Sequence, residues 1–247
     1  MYLKFVFIIC VLLFSSSVFS VSLSTYRIYL DNDNRSQAFG VFNNEQKEKV
    51  CELNLRHVDY SDGGKITFLL DTNVPANSAK QFVRFSPKKF KMSANSRQNV
   101  NFVYRRKSNK PISEYRSLVS VSCQDSVQGP QRSQVDIKPR LVHNIPLIVR
   151  NGAVIAEAEL KNITTQSEHI SFEFHRLGER SLYGKLELLN KKSGEIVSHV
   201  NGFSIYPGTS FRVVNMTNKG FKPEELVLKF SEDPLYGGSL NIVQNVK

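Results

Sequence analysis

The sequence predicts an all-β protein built as two β-sandwich domains in tandem. Three observations carry that prediction. Apolar and polar residues alternate with a period of two in many short segments. Clusters of Asn, Asp, Gly and Ser separate those segments. No segment carries a 3.6-residue apolar stripe. The chain has 247 residues, 40% of them hydrophobic and 22% charged. That suffices for two small domains with buried cores and excludes full disorder. With 13 glycines, a collagen-like repeat is excluded as well.

The first half reads as seven strands. Residues 22–30 form the first, closed by the turn cluster Asp31-Asn32-Asp33-Asn34. Residues 37–42 form the second, closed by Asn43-Asn44, and residues 50–58 the third, ended by Asp62-Gly63-Gly64. Residues 82–90, 99–105, 115–122 and 135–149 complete the set. The second half repeats the style over residues 154–162, 169–176, 182–190, 202–206, 210–215, 225–230 and 239–243. Lys192-Ser193-Gly194-Glu195 is its clearest hairpin turn. No short fixed repeat is present, which excludes a solenoid or propeller. Immunoglobulin-like sandwiches fit this strand count, although the absence of tryptophan sets the chain apart from antibody-type domains.

The one long apolar run is residues 3–19. Lys4 supplies a positive start, residues 5–14 an apolar stretch, and Val18 and Ser20 the small-residue cleavage pattern. A spanning helix needs about 20 apolar residues, and Ser15, Ser16 and Ser17 interrupt this run. Residues 1–20 therefore read as a signal peptide, and the mature chain as exported.

Charge divides the rest. Residues 21–150 hold 21 Lys and Arg against 11 Asp and Glu, whereas residues 151–247 hold 11 of each. The step places an N-terminal domain at 21–150 and a C-terminal domain at 151–247. A basic half without a recognition motif is no argument for nucleic acid in an exported protein. It suits a solvated surface or an acid group on a partner.

Cys10 leaves with the signal, so Cys51 and Cys123 remain as an even pair in an oxidising compartment. In an immunoglobulin-like topology the third and sixth strands are antiparallel neighbours, and the start of one lies beside the end of the other. A cross-strand disulfide fits there, with two buried free thiols as the alternative. The bond would close a loop of roughly 70 residues, for about 4 kcal/mol in the chain-entropy description.

Five segments resemble one family in order. They are the start of the mature chain through Arg27; Phe-Val-Arg-Phe-Ser-Pro at 82–87 with Phe90; Glu-Tyr-Arg-Ser at 114–117; Asn-Ile-Pro-Leu-Ile-Val-Arg at 144–150; and Arg-Leu-Gly-Glu-Arg-Ser-Leu-Tyr-Gly at 176–184. Together they resemble the periplasmic pilus-assembly chaperones of the chaperone–usher pathway, in the archaic (alternative) branch. The resemblance implies an L-shaped pair of domains, a periplasmic location, pilin subunits and an outer-membrane usher as partners, and no cofactor.

It also implies a site. Such a chaperone lends an edge strand to an incomplete subunit; main-chain bonds hold it and alternate side chains plug the groove. Val135, Ile137, Pro139 and Leu141 alternate with Asp136, Lys138 and Arg140 and are the expected donor strand. Pro139 cannot donate a ladder bond, which an edge tolerates. The competing reading is an ordinary edge strand. An exposed donor strand would also let two copies associate. The subunit's C-terminal carboxylate is expected at Arg27, with Arg116 as the second anchor, because guanidinium groups bind carboxylates with paired charge-assisted bonds. The better-known branch has a lysine where this chain has Pro146. For either arginine the competing reading is a structural salt bridge.

Other chemistry finds no support. His57, His143, His169, His175 and His199 form no HxxxH or HExxH pattern. No GxSxG elbow, Walker loop, GxGxxG or CxxC occurs. Asp31-Asn32-Asp33 opens like a calcium loop, but Ser36 and Phe42 replace the required Gly and Glu. Asn34, Asn162 and Asn215 lie in short glycosylation sequons. The reading is a non-enzyme without a metal site. The alternative function is a secreted two-domain binding or adhesion protein.

Overall fold

The computed structural model describes residues 21–246 apart from 71, 107–109, 127–140 and 167. Residues 1–20 and the donor-strand positions Val135, Ile137 and Pro139 lie outside the described residues.

Among the described residues ten strands make the first sandwich: β1 (Val21–Leu23), β2 (Ile28–Leu30), β3 (Ser36–Asn43), β4 (Lys49–Ser61), β5 (Lys65–Leu69), β6 (Val83–Ser86), β7 (Lys89–Met92), β8 (Ser96–Tyr104), β9 (Ser113–Asp125) and β10 (Val142–Asn151). One sheet has the order β1-β3-β8-β6. The other has the order β2-β10-β9-β4-β5, with β7 also paired to β4. The second sandwich comprises β11 (Ala158–Thr165), β12 (His169–Arg176), β13 (Leu182–Asn190), β14 (Ile196–Ile205), β15 (Phe211–Thr217), β16 (Leu226–Glu232) and β17 (Asn241–Asn245). Its sheets are β11-β12-β15 and β14-β13-β16-β17. Each sandwich encloses its own apolar core. Phe39, Leu53, Phe82, Phe102 and Leu147 fill the first, and Phe172, Phe174, Leu186, Leu228 and Phe230 the second. The all-β, two-sandwich fold is the one predicted.

Two of the expected strands are each two strands. Residues 22–30 split into β1, antiparallel to β3 in one sheet, and β2, parallel to β10 in the other. Residues 82–90 split in the same way into β6, paired to β8, and β7, paired to β4. The reason lies in side-chain parity. Val21 and Leu23 are buried at odd positions, but Ile28 and Leu30 at even ones; Val83 faces the core at an odd position, Met92 at an even one. A one-residue slip of the period turns the inward face over, and here the chain crosses to the opposite sheet instead. The hairpin strand β5 was not expected.

The longest strands, β4 and β9, pair with Cys51 opposite Cys123. The two form a disulfide with Cα atoms 4.1 Å apart, closing a separation of 72 residues. The expected cross-strand bond is present.

Along β10, Val142–Asn151 all pair with β9, but β2 covers only Leu147, Ile148 and Val149 on the other side. Residues 142–146 thus present an edge with no strand partner among the described residues.

Candidate functional site

Alternation on β9 and β10 aims one set of side chains into the core and the other at the second domain. Val119, Val121, Ile145, Leu147 and Val149 point inward. Glu114, Arg116 and Leu118 on β9, with Pro146, Ile148 and Arg150 on β10, make up the opposite face. Register aligns Leu118 with Pro146, Arg116 with Ile148, and Glu114 with Arg150. Tyr29, Val58, Tyr60, Leu118 and Ile148 pack there with Tyr206 of the second domain. Tyr60 and Tyr206 stack with ring centroids 4.4 Å apart and planes 22° apart. Backbone approach is equally close: Gly208 has φ of +106°, and a Cβ there would collide with the Tyr60 carbonyl. The tip of the β4–β5 hairpin accepts two further bonds, from Thr209 Oγ1 to the Ser61 carbonyl at 2.9 Å and from the Ser210 N–H to Asp62 Oδ1 at 2.8 Å.

Two carboxylates are buried at this boundary, and both are fully committed. Glu114 accepts Arg150 Nε–H at 3.2 Å, the Ser181 N–H at 3.0 Å and the Ser181 hydroxyl at 2.9 Å. Arg150 also donates to the Gly237 carbonyl at 2.6 Å. Glu232 takes a two-pronged pair from Arg180 at 2.6 and 2.7 Å, and the N–H groups of Ser239 and Leu240. Burial alone would raise the Glu232 carboxyl; the Arg180 bond and the two backbone donors outweigh it and hold it below the ordinary value.

Arg27 and Arg116 are left without an acid partner. Neither is ion-paired among the described residues, yet both are buried. Arg27 Nη2 donates to the Tyr206 hydroxyl at 2.6 Å. Its guanidinium lies 4.0 Å above the Tyr183 ring and within 6 Å of Tyr206 and Tyr236. Its Nε is buried with no acceptor. Arg116 Nη1 donates to the Pro207 carbonyl at 3.1 Å, with its guanidinium 5.8 Å from the Tyr60 ring. Burial, and then the Arg116 charge, push the Arg176 guanidinium below its ordinary value. Burial also raises the Tyr60 and Tyr183 hydroxyls, so these two rings stay neutral beside the cations.

The fold therefore brings both predicted anchor arginines to the domain boundary. Of the donor-strand residues, Leu141 is described and is 58% exposed, followed by Val142 at 40%. Both lead into the uncovered edge of β10. Pro146 sits on the same face as Arg116, four residues before Arg150. Sequence reasoning missed the tyrosines Tyr60, Tyr183, Tyr206 and Tyr236 and the pairs Glu114–Arg150 and Arg180–Glu232. Glu114, Arg150, Arg180 and Tyr183 lie inside the motifs quoted above, but nothing local marks a residue as facing another domain. Beside the Glu114–Arg150 pair a cleft of about 330 Å³ is lined by Tyr29, Asp31, Arg150, Arg180 and Gly237 among others. Among the described residues no group of three or more His, Cys, Asp or Glu side chains is placed to hold a metal.

No family model and no curated sequence matches the chain. Solved structures do match. The YadV chaperone superposes with a TM-score of 0.53 at 13% identity, covering 92% of this chain and 99% of that one. A chain of the Salmonella enterica SafA pilin–SafB chaperone complex gives 0.51 at 14% identity, over 94% and 99%. The E. coli chaperone DraB gives 0.50 at 14%, over 93% and 97%. At such identity the likeness establishes a shared fold, here along nearly the full length of both chains.

Proposed function

We propose that this chain is a periplasmic chaperone of the chaperone–usher pathway. It caps a pilus subunit by donor-strand complementation and delivers it to an outer-membrane usher. The observation that carries this reading is the pair Arg27 and Arg116. Two buried guanidinium groups, one just before β2 and one on β9, have no carboxylate partner among the described residues, and the β10 edge of the same sheet has no strand partner over residues 142–146 among the described residues. A subunit missing its last strand would find a main-chain edge and a carboxylate receptor in one place. Residues 1–20 serve export, 21–150 form the chaperone domain with its donor strand, and 151–247 complete the cleft. Arg27 and Arg116 receive the subunit's C-terminal carboxylate, and Val135, Ile137, Pro139 and Leu141 plug its groove. The same strand allows free copies to associate.

The test uses the donor-strand alternation. Ile137→Asp puts a charge where an apolar plug is needed, while Asp136→Ser alters the opposite set. Both variants should fold and be exported. Only Asp136→Ser should co-purify with a subunit from a periplasmic extract. Equal capture by both variants removes the donor-strand assignment, and absence of any subunit with the unaltered protein removes the chaperone reading.

A further inference from the structure

The two domains contribute one donor each to a site that no described residue satisfies. Arg27 Nε–H is buried without an acceptor. Next to it the Tyr206 hydroxyl accepts a bond from Arg27 Nη2 at 2.6 Å. That bond uses the oxygen and leaves the hydroxyl proton, which finds no acceptor among the described residues. A phenol carries one donor and a guanidinium five. Here they converge from different domains, with Arg27 4% and Tyr206 8% exposed. Tyr206 cannot drift away from Arg27, because its ring is stacked on Tyr60 at 4.4 Å. Arg27 is likewise held, its guanidinium lying over the Tyr183 ring at 4.0 Å. Tyr236 closes a further side and holds Thr25 Oγ1 at 3.2 Å.

Two rigid, adjacent, unsatisfied donors call for an acceptor with two oxygens and a negative charge. We infer that Tyr206 is a direct ligand of the carboxylate that Arg27 binds, donating its O–H to one oxygen while Arg27 Nε–H and Nη2 serve the carboxylate from the side. This deepens the chaperone reading above, on which it rests only for where the carboxylate comes from. The consequence is specificity. A terminal carboxylate accepts from both domains at once, whereas an amide offers one acceptor and an N–H₂ that meets a second donor. The site therefore rejects a C-terminal amide, and its discrimination depends on a residue outside the N-terminal domain.

The test is a titration of the full mature chain, labelled with ¹⁵N, following the Arg27 Nε–H resonance identified through Arg27→Lys. The probes are acetyl-trialanine with a free C-terminus and the same peptide as its C-terminal amide. The free acid should move the resonance and the amide should not. Tyr206→Phe keeps the ring stack and removes only the hydroxyl, and should weaken the free acid by about tenfold to a hundredfold. Tyr104→Phe, which deletes a hydroxyl that bonds Asn151 and touches neither Arg27 nor Tyr206, should leave the affinity unchanged. Equal affinity in Tyr206→Phe, or equal response to acid and amide, overturns the inference. Subunit co-purification is scored separately. If it survives while Tyr206→Phe binds the acid normally, only Tyr206 loses its role. If it is absent while acid is still preferred over amide, the carboxylate site stands and the chaperone reading falls.

Discussion

Glu114 and Arg150 face each other on neighbouring strands of the first domain, 3.2 Å apart, and both reach into the second. Glu114 accepts the Ser181 N–H and hydroxyl, and Arg150 donates to the Gly237 carbonyl. One ion pair thus fixes the spacing between β9 and β10 and also joins the two domains. The Arg180–Glu232 pair lies close by, within the second domain. With both acids consumed in this way, Arg27 and Arg116 keep their charge for something else.

Removing one member of the first pair should be expensive. Glu114→Ala leaves Arg150 buried and uncompensated and strands the Ser181 donors. We expect a loss of about 3–5 kcal/mol, read as a lower urea midpoint. Adding Arg150→Ala should cost much less than the sum of the single changes, because the two share one network. Additive losses would show that the pair is not coupled.

Acid should weaken the second domain in a defined direction. The Glu232 carboxyl is held below its ordinary value of 4.5 in the folded state. Its contribution is therefore complete above the unfolded value and is lost as pH falls through the folded one, starting below about pH 5. Thermal melts of the wild type should fall more steeply in that window than those of Glu232→Gln, which carries no titrating group there. Parallel pH curves would contradict the assignment.

Arg27→Ala should abolish subunit capture, at a cost of about 2–5 kcal/mol for a stranded carboxylate. Arg116→Ala should act in the same direction. Arg27 also contacts three tyrosines of the second domain, so circular dichroism and a melt must accompany the binding measurement. Near-normal subunit yield from a folded Arg27→Ala protein would remove it from the site.

The disulfide should be measurable in both chemistry and stability. Mass spectrometry of non-reduced protein should find no free thiol at Cys51 or Cys123. Replacing both with alanine should cost about 4 kcal/mol, as expected for cutting a cross-link between residues 72 apart. An unchanged urea midpoint would assign the pair no structural role.

Much of the fold was legible in the sequence because sandwich strands announce themselves locally. Period-two alternation and turn clusters mark strands wherever one face is buried, and they located most of the elements. The Cys51–Cys123 bond followed from the strand neighbours that this fold imposes. The slips of parity between Leu23 and Ile28, and between Val83 and Met92, were present in the sequence too, but alternation read strand by strand does not say that a slip means a change of sheet. What only the tertiary structure decided is who faces whom across the domain boundary. Arg27 is separated from Tyr206 by 179 residues and Glu114 from Ser181 by 67. Burial and hydrogen bonding at such separations depend on how two finished domains dock. Sequence patterning reports each strand's preference for an inside, but the outward faces that meet at the boundary carry polar and aromatic residues that look like any solvated surface. Docking alone gathers four tyrosines and two arginines, without an ion pair among the described residues, at one buried boundary.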